Sequence, residues 1–227
     1  MTAASPTDDA PTATTATTAT TPITPTPTPR TAYGASRPFA WLLLIGGAVG
    51  LVASAVLTLD KIRLLKDPSY VPTCNINPII SCGSIMRSEQ AEAFGFPNSL
   101  IGLVAFGVVV AVGAGLLAGA AYRRWFWLGL QAGTVFGVGF VTWLMYQALY
   151  RIGALCPYCM VVWAAVIPLF WYTTLHNLRT GVIPVGPRLR VVVREAARYH
   201  WVVPALWYAV IALLILNRFW YYWSTLI

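Results

Sequence analysis

The sequence predicts an all-α integral membrane protein. Of its 227 residues, 58% are hydrophobic and only 10% are charged, a composition far from that of soluble domains. The apolar residues are gathered in five long runs of the kind that cross about 30 Å of hydrocarbon as helices. The formal net charge of +8 comes from arginines that flank these runs, so it indicates membrane orientation rather than nucleic-acid binding, for which there is no motif.

The chain opens with a segment rich in Thr, Pro and Ala, residues 1–37. It contains almost nothing that could be buried, so we predict a disordered cytoplasmic tail. No short apolar segment with a cleavage site precedes the first long run, and a removable signal peptide is therefore not expected. Residues 38–227 are predicted to form one membrane domain.

Five membrane spans are predicted along this domain. In chain order they are residues 39–59, 99–122, 125–150, 157–175 and 201–216. The second span is rich in Gly and Ala, which allow close helix packing. With the N-terminus inside, nine basic residues lie on the inner side and six on the outer side, so the bias favours an N-in, C-out orientation.

The four cysteines fall in two outer connections of this topology. Cys74 and Cys82 lie in the first outer loop, where Pro78 supports a turn between them, and the segment 83–94 after them is predicted to be a short interfacial helix that caps the bundle. Cys156 and Cys159 form a C-x-x-C motif at the start of the fourth span. An oxidising compartment permits disulfides, but four thiols allow three pairings and the sequence alone does not choose among them.

The C-x-x-C motif has the features of a redox pair at a membrane boundary. Pro157 favours the first helical position, which makes Cys156 the N-cap, where the helix dipole and free amides stabilise a thiolate. We therefore predict that Cys156 is the exposed, reactive thiol. Cys159 follows on nearly the same helical face, about 4.5 Å deeper in the apolar layer.

A C-x-x-C motif can also serve haem attachment, zinc binding or a structural disulfide. Haem attachment requires a His after the second cysteine, where this chain has Met160. A zinc site of four thiolates usually pairs two close C-x-x-C motifs, and no metal ligand is predicted. Purely structural disulfides in a non-catalytic membrane scaffold remain an alternative.

Taken together, these motifs resemble the bacterial homologues of vitamin K epoxide reductase, over about residues 39–175. The resemblance lies in the loop cysteine pair, in Ser88 six residues after Cys82, and in the C-x-x-C that opens the fourth span. Asn98 matches a position that can hydrogen-bond a quinone in this family, whereas Trp163 replaces the Tyr of vertebrate members. The resemblance implies the catalytic residues Cys74, Cys82, Cys156 and Cys159, and the quinone-binding residues Ser88, Asn98 and Trp163.

The resemblance also implies a fold and a function. The fold is a four-helix bundle around a quinone pocket, plus a fifth helix. The function is the oxidation of thiols in a separate extracytoplasmic thioredoxin-fold (DsbA-like) partner, because no fused thioredoxin-like domain is expected before Ile227. Electrons would pass from Cys74 and Cys82 to the C-x-x-C pair and then to a menaquinone or ubiquinone, at the outer face of a bacterial cytoplasmic membrane.

Two enzyme alternatives remain beside this interpretation. A DsbB-type quinone oxidoreductase performs the same task on a four-helix bundle, but its C-x-x-C lies in the first outer loop. Here the motif follows the third span, so that alternative ranks low. A vitamin K epoxide reductase activity proper also stays open, because the sequence does not distinguish an epoxide pocket from a quinone pocket.

Overall fold

The computed structural model describes residues 1–2 and 32–224, and in this part of the chain the regular elements are helical. The α-helices are α1 Arg37–Lys66, α2 Cys82–Met86, α3 Asn98–Leu117, α4 Arg124–Tyr146, α5 Pro157–Thr180, α6 Pro187–Arg198, α7 Val202–Arg218 and α8 Trp220–Trp223. A 3-10 turn covers Glu89–Glu92, and a π-helical turn, Gln147–Ile152, extends α4. Two isolated β-bridges are the only strand-like pairings among the described residues.

Four stretches are long and apolar enough to cross a membrane, namely α1, α3, α4 with its π-helical turn, and α5. Helix α7 has 17 residues and forms a pair with α6 that is bent by 69°. The number of spans is four, or five when this bent pair is taken as one span. The predicted all-α membrane fold is confirmed. The predicted capping helix over residues 83–94 is present as two shorter pieces, α2 and the 3-10 turn.

Three predicted span ends differ from the helix ends by five residues or more. One of them is the end of α5, which lies at Thr180 rather than at residue 175. Helix α1 continues past residue 59 to Lys66, because the charged side chains of Asp60 and Lys61 find polar partners there and are buried. Helix α3 ends at Leu117 rather than at residue 122. Gly119 has a φ of 92°, in the left-handed region that glycine tolerates, and it turns the chain toward α4.

The spans pack as an arc in the order α3, α1, α5, α4, since α1 contacts both α3 and α5 and α4 contacts α5. The α1–α3 contact is close because glycines face it. A Cβ at Gly113 would lie 2.6 Å from the backbone nitrogen of Leu44, and one at Gly47 would lie 3.0 Å from that of Val110. The close packing that the small residues of the second span predict is confirmed.

The arginine-bearing connections meet at one end of the bundle. Tyr33 and Tyr122 exchange backbone hydrogen bonds of 2.8 and 3.0 Å, which join the chain before α1 to the α3–α4 turn. The Nε–H of Arg124 donates to the carbonyl of Val182 at 2.9 Å and joins that turn to the α5–α6 connection. The cysteine loop follows the opposite end of α1, so the two ends of the bundle are chemically distinct.

The tail predicted to be disordered, residues 1–37, lies mostly outside the described residues. Its last part departs from the prediction, because Tyr33 pairs with Tyr122 and its carbonyl also accepts the indole N–H of Trp127 at 3.2 Å. The ordered part of the membrane domain therefore begins before residue 38.

Candidate active site

The two cysteine pairs are brought together by backbone pairing between the first outer loop and the residue before the C-x-x-C. Ile80 forms a parallel bridge with Leu155. The N–H of Ser81 donates to the carbonyl of Leu155 at 2.9 Å, and the N–H of Leu155 donates to the carbonyl of Ile79 at 2.7 Å. Cys82 follows Ser81 directly and Cys156 follows Leu155 directly. Main-chain hydrogen bonds thus fix the two cysteines side by side.

The loop cysteines form a disulfide. The Sγ atoms of Cys74 and Cys82 are 2.03 Å apart, and their Cα atoms are 5.7 Å apart. The turn between them is held by Asn77, whose Oδ1 accepts the N–H groups of Ile79 and Ile80 at 3.0 and 2.7 Å. Of the three pairings that the sequence left open, the structure contains the one that joins Cys74 to Cys82. Cys156 and Cys159 are free thiols.

Cys156 is the N-cap of α5 and Pro157 is its first residue, as predicted. The Cys156 Sγ accepts the backbone N–H of Cys159 at 3.5 Å. The predicted exposure of Cys156 is wrong, because the side chain is only 1% exposed. It packs in one apolar cluster with both loop cysteines, Leu57 and Met86.

The pKa of Cys156 is lowered from its ordinary value. The main cause is a hydrogen bond from the thiol of Cys159, which stabilises the Cys156 thiolate, and backbone N–H groups add to it, while burial acts in the opposite direction. The prediction that this position favours a thiolate therefore agrees with its surroundings, although the cysteine is not open to water.

A cavity of about 500 Å³ lies between α1, α3, α4 and α5, beneath the cap formed by α2 and the 3-10 turn. Its lining is mainly apolar, and it includes both cysteines of the C-x-x-C motif. The structure also brings the three predicted quinone-binding residues, Ser88, Asn98 and Trp163, into the lining. Cys74 and Cys82 are not part of the lining and pack behind Cys156.

The polar side chains at the rim of this cavity already hold the cap in place. The hydroxyl of Ser88 donates to the carbonyl of Ile85 at 2.7 Å. Asn98 accepts the N–H of Ala93 with Oδ1 and donates from Nδ2 to the carbonyl of Gln90, at 3.2 and 2.7 Å. The single hydroxyl proton of Ser88 is thus engaged, whereas the Nδ2 of Asn98 carries a second N–H.

Lys61 is a site residue that the sequence analysis counted only as an outer charge. It is buried in the cavity wall, where Nζ donates to the carbonyl of Met86 at 2.7 Å and pairs with the carboxylate of Glu92 at 2.9 Å. It therefore ties α1 to both pieces of the cap. No local signal distinguishes it in the sequence from the exposed Lys66 on the same helix.

The wall that α4 contributes contains a row of glycines, Gly129, Gly133 and Gly137, spaced one helical turn apart. A Cβ at Gly129 or Gly133 would meet no atom within 4 Å. The row therefore leaves open space between α4 and α3, the two edges of the helix arc.

Two free thiols lie beside a disulfide at the edge of an apolar cavity, which is the arrangement of an oxidoreductase. The fold and the site together therefore indicate a multi-pass membrane oxidoreductase. A sequence model of the vitamin K epoxide reductase family matches residues 41–174, more than half of the chain. The chain therefore belongs to the vitamin K epoxide reductase family, as its motifs predicted. No curated protein matches the chain.

Proposed function

We propose that the protein oxidises the thiols of a separate extracytoplasmic thioredoxin-fold (DsbA-like) protein and passes the electrons to a membrane quinone. The observation that carries this proposal is the backbone pairing of residues 79–81 with Leu155, which sets a disulfide beside a dithiol at the edge of an apolar cavity. The site lies at the end of the bundle opposite the arginine-bearing connections. We place it at the outer face of a bacterial cytoplasmic membrane.

The first exchange takes place at the loop disulfide. Cys74 is 7% exposed whereas Cys82 is fully buried, so the partner's thiolate attacks the sulfur of Cys74 and Cys82 leaves as a thiolate. The partner's second thiol then attacks the mixed disulfide and releases Cys74. The partner becomes a disulfide, and the loop holds two electrons and two protons more than before.

The second exchange moves these electrons to the C-x-x-C pair. The Cys82 thiolate attacks the Cys156 sulfur of an oxidised Cys156–Cys159 disulfide, and Cys159 leaves. Cys74 then attacks Cys82, which restores the loop disulfide and frees Cys156. The result is a loop disulfide beside two free thiols, the arrangement that the structure contains.

The cavity fits a quinone of the menaquinone or ubiquinone type. Its volume of about 500 Å³ is within the range of small-molecule pockets, which are mostly apolar with a few polar groups. The ring of Trp163 forms part of the wall, and the second N–H of Asn98 is available to a carbonyl oxygen. Cys156 and Cys159 would release two electrons and two protons when they close to a disulfide, and a quinone held by Asn98 and Trp163 would supply the two-electron acceptor.

The test measures quinone reduction by the purified full chain with a reduced DsbA-like partner. The absorbance of the quinone reports the reaction. We expect turnover that falls on the order of a thousandfold in Cys156→Ala or Cys159→Ala, as expected for loss of a covalent catalytic group. Ser69→Ala, an exposed change in the same outer loop, is the control and keeps full turnover. Quinone reduction that survives replacement of both C-x-x-C cysteines would contradict the proposal.

The alternatives are distinguished by this assay, by the position of the C-x-x-C motif and by a change of substrate. A membrane scaffold with structural disulfides shows no partner-dependent turnover at all. A DsbB-type arrangement requires a C-x-x-C in the first outer loop, whereas this chain carries it at the start of α5. Replacing the quinone with vitamin K epoxide tests whether the same cavity also serves that substrate.

A further inference from the structure

A second pocket lies at the opposite end of the bundle from the cysteines. It is an open groove of about 760 Å³ between the end of α5 and helix α6. Four exposed arginines line it, Arg179 from α5 and Arg190, Arg194 and Arg198 from α6. The Nε–H of Arg190 donates to the carbonyl of Val185 at 3.3 Å, so the connecting loop orients one of the four side chains.

The positive charge of this groove is not balanced by the protein. Among the described residues, none of the four guanidinium groups forms an ion pair. The only acidic residue after Glu92 in the whole sequence is Glu195, and it does not line the groove. Three of the arginines are four residues apart along α6 and therefore share one face, where like charges repel. An anion in the groove relieves this repulsion.

Helix α6 has the geometry of a helix at the membrane surface. It is bent by 69° from α7, so when α7 crosses the bilayer, α6 lies within about 20° of the membrane plane. Leu189 and Val192 are exposed on the side away from the arginines, 48% and 60% respectively. An apolar face beside a cationic face is typical of interfacial helices, whose apolar side reaches the acyl chains.

We propose that this groove binds the headgroup of an anionic phospholipid. The guanidinium groups of Arg190, Arg194 and Arg198 hold the phosphate, for which the planar guanidinium is well suited. The location agrees with the arginine-rich side of the membrane, where basic pockets beside spans take anionic lipids. The proposal rests on the membrane fold and not on the redox function.

The experiment titrates the purified full chain in neutral detergent with short-chain phosphatidylglycerol and follows binding by native mass spectrometry. We expect phosphatidylcholine with the same chains to bind at least about tenfold more weakly, because its headgroup is neutral overall. Arg194→Gln should lower the affinity for phosphatidylglycerol about fivefold. The matched control is Arg188→Gln, which removes an equally exposed charge from α6 outside the groove and should change affinity less than about twofold.

Three results would overturn the proposal. Equal losses in Arg194→Gln and Arg188→Gln would show diffuse attraction instead of a site. Equal binding of phosphatidylcholine would exclude charge recognition, and glycerol phosphate that binds as tightly as the lipid would indicate a site for a free anion. The melting temperature of each variant, measured without lipid, shows whether it folds. Arg198→Gln replaces Arg194→Gln if Arg194→Gln does not fold.

Discussion

Cys156 and Cys159 are three residues apart, yet they have different surroundings. Cys156 is buried against the loop disulfide and accepts hydrogen bonds from Cys159, whereas Cys159 is partly accessible from the cavity. The first is placed to exchange with another sulfur and the second to meet an oxidant from the lipid side. In the function proposed above, this division lets one helical turn link a thiol exchange to a quinone.

At the residue scale, we expect Cys159→Ala to accumulate a disulfide between Cys82 and Cys156. Cys156 attacks the neighbouring Cys82, Cys74 leaves, and no Cys159 thiol is present to reverse the reaction from the other side. Non-reducing peptide mapping identifies the linkage, and Cys156→Ala, which keeps only the loop pair, is the control. A Cys74–Cys156 linkage would show that Cys74, and not Cys82, exchanges with Cys156. A free Cys156 would disprove the relay.

The lowered pKa of Cys156 predicts a pH dependence. A thiolate with a lowered pKa is present above that lowered value and is lost as the pH falls through it, so alkylation of Cys156 should begin at a lower pH than for an ordinary cysteine. To keep Cys156 out of a mixed disulfide, both variants are made in a chain that also carries Cys74→Ala and Cys82→Ala. In that chain Cys159→Ala removes the thiol donor and should move the midpoint to higher pH. Cys159→Ser keeps a donor and should move it less. Mass spectrometry of the Cys156 peptide over a pH series measures the midpoints, and identical midpoints in both variants would exclude this cause.

The structure brings the candidate site residues together, but the sequence did not predict their environments. The spacing of Cys82, Ser88, Cys156 and Cys159 could be recognised along the chain as a family pattern, and the roles of these residues stay predictions. The burial of Cys156 and Lys61 depends on a loop that folds back through hydrogen bonds of Ser81 and Leu155. Such pairing between distant backbone groups leaves no pattern in the side chains, so it could not be predicted.

At the element scale, α4 controls the width of the cavity through its glycine row. We expect Gly133→Leu to lower kcat/KM for quinone at least about tenfold, because the new side chain fills space that the structure leaves open. Exchange between the partner and the loop disulfide should be unchanged. The control is Gly139→Leu on the same helix. A Cβ at Gly139 also meets nothing within 4 Å, but Gly139 does not line the cavity. Equal losses in both variants would show a general effect on α4.

Helix existence was easier to predict than helix ends. Apolar runs identify the spans, but the first predicted span stops at residue 59, before the charged pair Asp60 and Lys61, whereas the helix continues through them. Helix α6 lies between the fourth and fifth predicted spans, where no helix is predicted. Its arginines at 190, 194 and 198 recur every four residues, a helical signal that was present in the sequence.

At the scale of the whole molecule, the two ends of the bundle should lie on opposite sides of the membrane. We expect a membrane-impermeant maleimide to label a Ser69→Cys variant in intact cells and to label an Arg188→Cys variant only after permeabilisation. Both positions are exposed, so accessibility of the side chain is matched, and the mass shift relative to the parent protein reports the label. Labelling of position 188 alone in intact cells would show that the topology is the inverse of the predicted one.

The length of α1 has a consequence for the membrane around the protein. Its 30 residues rise about 45 Å, whereas the hydrocarbon layer is about 30 Å thick. With the predicted span, residues 39–59, in the hydrocarbon, the two turns after Leu59 reach the headgroup layer, where Lys61 holds the cap through Met86 and Glu92. Bilayer thickness then sets how far a lipid-dissolved oxidant must rise from the midplane to reach the sulfurs. The acyl-chain length of the host's lipids therefore contributes to the distance between the bilayer midplane and the sulfur atoms.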